Sequence, residues 1–226
     1  MPAQILTDDL RWHTASDRGA RSLNADATAV RGSAFVVADG VGDTPAAAEA
    51  AAIAARVAAE VADREGPVAG ILAAQQAVQD GDAVLVVAVL DDFTCDVAWV
   101  GDCRAYYSNG RVLQQITVDH TLAEYLRSRN AEAPPRTEHV VTTSVRTVRP
   151  ERIGTTRTSV ANGRLLLCSD GVHKILSPTA LHRILDQPEA AASSLVDAAI
   201  TLGGRDNATA LVVEHTVDVT EERLAA

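Results

Sequence analysis

Four aspartates stand at the ends of apolar runs, and this placement constrains the chain more than any other feature. Asp39 closes Phe35-Val-Val-Ala-Asp-Gly40, Asp102 closes Val97-Ala-Trp-Val-Gly-Asp102, and Asp170 closes Leu165-Leu-Leu-Cys-Ser-Asp-Gly171. Asp206 precedes its run, in Gly203-Gly-Arg-Asp-Asn-Ala-Thr-Ala-Leu-Val-Val213. Carboxylates at the mouth of a hydrophobic sheet need positive charge beside them. Oxygen ligands gathered from several strands suit Mg²⁺ or Mn²⁺.

The rest of the composition narrows the classes. The chain has 226 residues, 47% of them hydrophobic, enough for one domain with a full core. Aromatic residues are only 3%, so Ala, Val, Leu and Ile must build that core. A formal charge of -10 argues against sequence-independent nucleic-acid binding, which needs a basic footprint. Cys95, Cys103 and Cys168 form no Cys-x-x-Cys pair, so neither a disulfide scaffold nor a structural zinc site is expected. The first residues lack a basic stretch followed by an apolar one, and no run approaches the roughly 20 residues of a membrane span. The expectation is a monomeric cytoplasmic protein, residues 1–226 forming a single domain.

Periodicity places the elements. Residues 10 to 40 read as strands. Thr44 caps a helix starting at Pro45, with Ile53, Val57 and Val61 on one face and Arg56, Glu60 and Asp63 on the other. Gly66-Pro67 stops it, and a second helix runs towards Asp80-Gly81. Strands follow at 83–90, 93–101, 103–108 and 111–116, the last two joined at the hairpin signal Asn109-Gly110. A helix is expected near 121–129, a loop through 129–135, and strands at 139–145 and 164–168. Helices at 178–186 and 188–202 precede a last strand at 207–214, and the charged tail from Asp218 frays. Hairpin-connected strands interrupted by helix pairs give an α+β fold, mostly antiparallel with helices outside.

Six segments, in this order, resemble the metal-dependent protein phosphatases of the protein phosphatase 2C family in their compact bacterial form. They are Arg21-Ser-Leu-Asn-Ala-Asp26, Val37-Ala-Asp-Gly-Val-Gly42, Val100-Gly-Asp-Cys-Arg-Ala-Tyr106, Thr117-Val-Asp-His120, Leu166-Leu-Cys-Ser-Asp-Gly171 and Gly204-Arg-Asp-Asn-Ala-Thr209. Singly each is weak: Asp80-Gly81 shows how easily Asp-Gly is only a turn. The resemblance implies a sandwich of two antiparallel β-sheets flanked by helix pairs, and hydrolysis of phosphoserine and phosphothreonine in proteins. It implies that Asp39 bridges two Mn²⁺ or Mg²⁺ ions, that the Gly40 carbonyl completes one, and that Asp170 and Asp206 hold the other. Asp26 would hold a metal-bound water, and Asp102 with Asp170 a weaker third ion. Arg21 would grip the substrate phosphate, and Asn207 would orient Asp206. The partner implied is a phosphoprotein whose kinase this enzyme opposes.

The implied chemistry suits these residue types. Two ions about 3.5–4 Å apart can activate water at neutral pH and neutralise phosphoryl oxygens. A guanidinium adds bidentate hydrogen bonds to phosphate. No nucleophilic Ser or Cys is required. His120, His173 and Cys168 read as structural. Cys103 reads as a buried inert thiol, although an oxidation-sensitive one near the metals would fit the same position. From Arg127 to Arg157 there are seven arginines and three glutamates. That stretch is either a docking surface for acidic partners or a solvated loop, within a flap expected at about 121–160.

The chain also departs from the family pattern. Val41 stands where animal relatives carry a histidine, and Ala25 where others have Glu or Gln. Asp43 and Ala48 replace glycines; Asp43 either favours the following helix N-terminus or adds a carboxylate near the site. These departures keep two other functions open, a phosphatase-like binding or regulatory module and a small-molecule phosphatase.

Overall fold

The computed structural model describes residues 10–187 and 191–216. The expected tail from Asp218 and the start of the helix expected at 188–202 lie outside the described residues. Ten strands form two five-stranded antiparallel sheets. One sheet has the order β1 (Arg11–Asp17), β10 (Ala208–His215), β9 (Gly163–Cys168), β6 (Arg104–Ser108), β7 (Leu113–Gln115). The other has the order β2 (Asp26–Arg31), β3 (Ala34–Gly40), β4 (Ala83–Leu90), β5 (Thr94–Val100), β8 (Gly154–Ser159).

Strand alternation builds three apolar layers from a chain poor in aromatics. Phe35 and Val37 on β3, Val84 and Val86 on β4, Leu165 and Leu167 on β9, and Leu211 and Val213 on β10 meet between the sheets. Their neighbours Val36 and Ala38 point the other way, against α1 (Pro45–Glu65) and α2 (Pro67–Ala77). Leu166, Cys168, Ala210 and Val212 face α5 (Pro178–Leu185) and α6 (Ala191–Thr201). Helix α1 buries Ala47, Ala50, Ala51, Ala54, Ala55, Ala58, Ala59 and Ala62. A face so poor in side-chain bulk lets a long helix lie close to sheet and neighbour alike. As its sequence indicated, Thr44 caps α1, its hydroxyl accepting from Ala47 N at 3.2 Å.

One expected strand is absent. Residues 139–145 make only an isolated bridge, Thr121 to Val141. Ser144 instead donates to the Asp82 carboxylate at 2.6 Å, and Val145 N donates to the Ala83 carbonyl. Local side-chain bonding of this kind competes with a β-ladder. The ladder position goes to β8, Gly-Thr-Thr-Arg-Thr-Ser, at the edge beside β5. Its polar composition hid it, yet its exposure alternates residue by residue. Six residues of the expected flap, 121–160, therefore belong to a sheet. What remains holds α3 (Leu122–Arg127) and two single turns of 3₁₀ helix at Pro135–His139 and Pro150–Arg152.

Candidate metal centre

The sandwich gathers the sequence-marked aspartates at one end. Asp26 and Asp39 are cross-strand partners on β2 and β3. Asp102 lies in the corner between β5 and β6, Asp170 opens the short helix α4 (Asp170–His173) after β9, and Asp206 precedes β10. Asp39, Gly40, Asp102, Asp170, Asp206, Arg21 and Asn207 all line one cavity of about 240 Å³. The glycines following Asp39 and Asp170 are sites of close backbone approach. A Cβ on Gly40 would strike the Ala47 carbonyl, and one on Gly171 the Asn207 carbonyl.

The electrostatics are those of a cation site. Asp39 makes no side-chain hydrogen bond or ion pair among the described residues. Burial pushes its carboxyl well above the ordinary range, and Asp26, Asp170, Asp102 and Asp206 push it further. Burial also raises Asp26, to about 6. Its Oδ2 accepts from Ser169 Oγ at 2.7 Å, while its Oδ1 is buried without a partner. Unpartnered buried carboxylate oxygens are expensive unless a cation meets them. This oxygen-only donor set fits a hard divalent ion.

Two of the chain's own cations already engage the other carboxylates. Arg21 pairs with Asp206 through both ends of its guanidinium, at 2.7 and 2.6 Å. Lys174 places its ammonium 2.8 Å from both Asp102 and Asp170. Among the described residues, no three His, Cys, Asp or Glu side chains are grouped as a metal ligand set. Asp206 and Asp170 instead face the nitrogens of Arg21 and Lys174.

Neighbouring residues position the site. The Asn207 carboxamide accepts from Ala25 N and donates to the carbonyls of Arg18 and Leu23, holding the loop that carries Arg21. Its backbone N–H donates to Asp206 Oδ1 at 2.9 Å. Asp43 faces the cavity and accepts from Ser22 N, Ser22 Oγ and Leu23 N. The residue in place of a glycine is thus a second anchor for the same loop. Arg104 and Asp119, from the third and fourth motifs, form a bidentate pair at 2.7 and 2.8 Å that braces the wall behind Asp102. Sequence reasoning missed Ser169, Lys174 and His139. Ser169 and Lys174 flank the Asp170-Gly171 motif, and the spacing of Lys174 from Asp170 was the available signal. His139 lines the cavity from the turn at Pro135–His139, where nothing local marked it. His120 and His173 direct ring nitrogens at backbone, Gly101 N and the Asp102 carbonyl. Cys103 is buried, and burial followed by the nearby aspartates raises its thiol well above the usual range. Val41 lines the cavity and offers no proton.

The arginine-rich stretch is partly self-satisfied. Arg127 pairs with Glu138, Arg157 with Asp96, and Arg146 donates to the Gly81 carbonyl.

No family model matches the chain. It is 27% identical over 231 residues to the serine/threonine protein phosphatase PstP of Mycobacterium tuberculosis, covering 91% of this chain and 45% of that protein. It is 31% identical over 147 residues to the serine/threonine phosphatase stp of Listeria monocytogenes, covering 61% of this chain and 58% of that protein. The chain spans about half the length of the curated relatives it matches. Among solved structures, the PstP catalytic domain in complex with two manganese ions superposes with a TM-score of 0.78. Its identity is 26%, over 92% of this chain and 98% of that one. PppA of Pseudomonas aeruginosa gives 0.76 at 26% identity, over 91% and 97%.

Proposed function

From a chain related in sequence and fold to bacterial serine/threonine phosphatases of the protein phosphatase 2C type, we propose a metal-dependent phosphatase that hydrolyses phosphoserine and phosphothreonine in proteins. The observation that carries the proposal is the cavity itself. Half-buried, unpaired Asp39 shares it with Asp102, Asp170, Asp206 and a guanidinium. In this reading residues 1–226 are one phosphatase domain acting as a monomer, and its substrates are the products of a Ser/Thr kinase.

Asp39, the Gly40 carbonyl, Asp170 and Asp206 would hold two Mn²⁺ or Mg²⁺ ions, with Asp26 behind them. When bound, such ions supply a water of lowered pKa and neutralise developing phosphoryl charge. Arg21 would leave Asp206 and turn its planar fork to the phosphate, exchanging one bidentate anion for another. Asn207 and Asp43 keep the Arg21 loop in place while it does so. Asp26 is held by Ser169 and keeps one oxygen free for a water or an ion's hydration shell. Among the described residues, the cavity lining includes no Ser, Thr or Cys side chain.

Purified protein assayed on p-nitrophenyl phosphate and on a phosphothreonine peptide should release phosphate with Mn²⁺ or Mg²⁺ and none with chelator. Asp39→Asn should lower turnover by more than ~10²-fold, because even outer partners of a catalytic metal are worth 10–100-fold. Metal-independent turnover, or full activity in the variant, would defeat the assignment. Metal binding without turnover would favour a binding module.

A further inference from the structure

We infer that Lys174 is a built-in cation, its ammonium taking the place between Asp102 and Asp170 where the family resemblance implies a third ion. The inference rests on the proposal that Asp39, Asp170 and Asp206 hold two ions. The residues around Asp102 do not fit a further ion, because an ammonium already stands between the two carboxylate oxygens, Asp102 Oδ2 and Asp170 Oδ2, that such an ion would join. Lys174 Nζ lies 2.8 Å from Asp102 Oδ2 and 2.8 Å from Asp170 Oδ2. It also donates to the Glu138 carbonyl at 3.2 Å and lies 3.4 Å from His139 Nδ1. An ammonium has three protons and no acceptor, and these partners saturate it.

Burial separates this pair from the one made by Arg21. The Asp102 and Lys174 side chains are 5% and 20% exposed, whereas Asp206 and Arg21 are 40% and 43% exposed. A solvated ion pair exchanges partners at little cost, but removing one partner of a buried pair leaves an uncompensated charge. Arg21 is therefore the cation that yields when ions and substrate arrive, and Lys174 the one that stays. Charge agrees with this division. The retained ammonium already supplies, between Asp102 and Asp170, the positive charge that a third ion would bring. A third divalent ion would be surplus. The sequence supplies the device economically, since Lys174 is the chain's one lysine and lies a single helical turn beyond Asp170.

Asp102 then becomes a positioning residue that holds Lys174, and Lys174 ties the Pro135–His139 turn to the wall bearing Asp170. Counting Mn²⁺ bound per chain by equilibrium dialysis, up to millimolar free metal, tests this without reference to activity. The full chain should bind two ions. Lys174→Ala, which leaves Asp102 and Asp170 uncompensated, should bind three. Lys174→Arg and Asp102→Asn should each bind two, which keeps the test decisive if Lys174→Ala does not fold. Three ions on the unmodified chain, a count of two on folded Lys174→Ala, or a loss of one ion in Asp102→Asn would overturn the inference. No ion on the unmodified chain would instead defeat the two-ion proposal on which it stands.

Discussion

Two residues carry consequences that their neighbours do not share. Arg21 neutralises Asp206 in the pair described above and, on the proposed function, would compete with metal for the same carboxylate. Exposed pairs of this kind are worth ~0–1 kcal/mol. Arg21→Ala should therefore bind Mn²⁺ no more weakly, and up to roughly fivefold more tightly, while KM for a phosphopeptide rises through loss of the clamp. Weaker metal binding in this variant, measured calorimetrically, would show that Arg21 supports the ion site rather than competing with it. His173 is the second case. Burial, then repulsion from Arg104, lowers its pKa to about 4 from 6.5. Below 6.5 the unfolded chain takes up a proton that the folded chain refuses, so this residue costs stability as pH falls towards 4. Asp26 acts in the opposite direction, its raised pKa adding stability as pH falls through about 6 towards 3.8. Because His173→Gln keeps Asp26, the comparison isolates the histidine. Urea unfolding at pH 7.5 and 4.5 should show the variant losing ~1–3 kcal/mol less than the parent. Equal losses would show that His173 charges freely in the folded state.

At the scale of elements, close approach between α1 and α2 dominates. Gly70 on α2 faces α1, and a Cβ there would lie 2.6 Å from the Ala58 carbonyl and 3.0 Å from the Ala62 Cβ. Helix propensity favours Gly70→Ala by ~1 kcal/mol, but prising two packed elements apart costs ~1–3 kcal/mol. Packing should win, and the melting temperature should fall by roughly 2–5 °C. A rise would mean that the helices separate freely. The sequence disclosed elements of this strength well. The Thr44-Pro45 start and Gly66-Pro67 stop of α1 were legible because capping is local chemistry. The strands ending in Asp39, Asp102 and Asp170 were legible because burial on both faces leaves a continuous apolar run. Edge strand β8 was not, since its threonines satisfy a half-exposed surface that composition alone cannot tell from a loop. The false strand at 139–145 failed for the converse reason. Its β-branched residues suit a sheet, but Ser144 and Val145 had nearer partners at Asp82 and Ala83. The candidate carboxylates were legible as a set, whereas the grip of Lys174 on two of them depends on tertiary proximity between the β5–β6 corner, α4 and the Pro135–His139 turn.

For the whole molecule, the five aspartates assigned to the proposed metal site should repel one another without metal. Two carboxylates about 4 Å apart repel by roughly 4 kcal/mol at an effective dielectric of 20, and among the described residues Arg21 and Lys174 offset the cluster. An ion that binds the folded state alone stabilises by mass action, about 2.7 kcal/mol at a hundredfold excess over Kd. Millimolar Mn²⁺ should therefore raise the melting temperature of the parent chain, and chelator should lower it. Asp39→Asn sharpens the expectation by separating stability from function. It removes an unpaired carboxylate whose charge is disfavoured by burial and by its acidic neighbours, so in chelator it should melt no lower than the parent. In Mn²⁺ it should lose most of the metal-induced rise, because the proposed bridging ligand is gone. A variant that melts well below the parent in chelator would mean that Asp39 supports the fold through contacts of its own. A variant that keeps the full rise would mean that the ions bind elsewhere on this acidic chain.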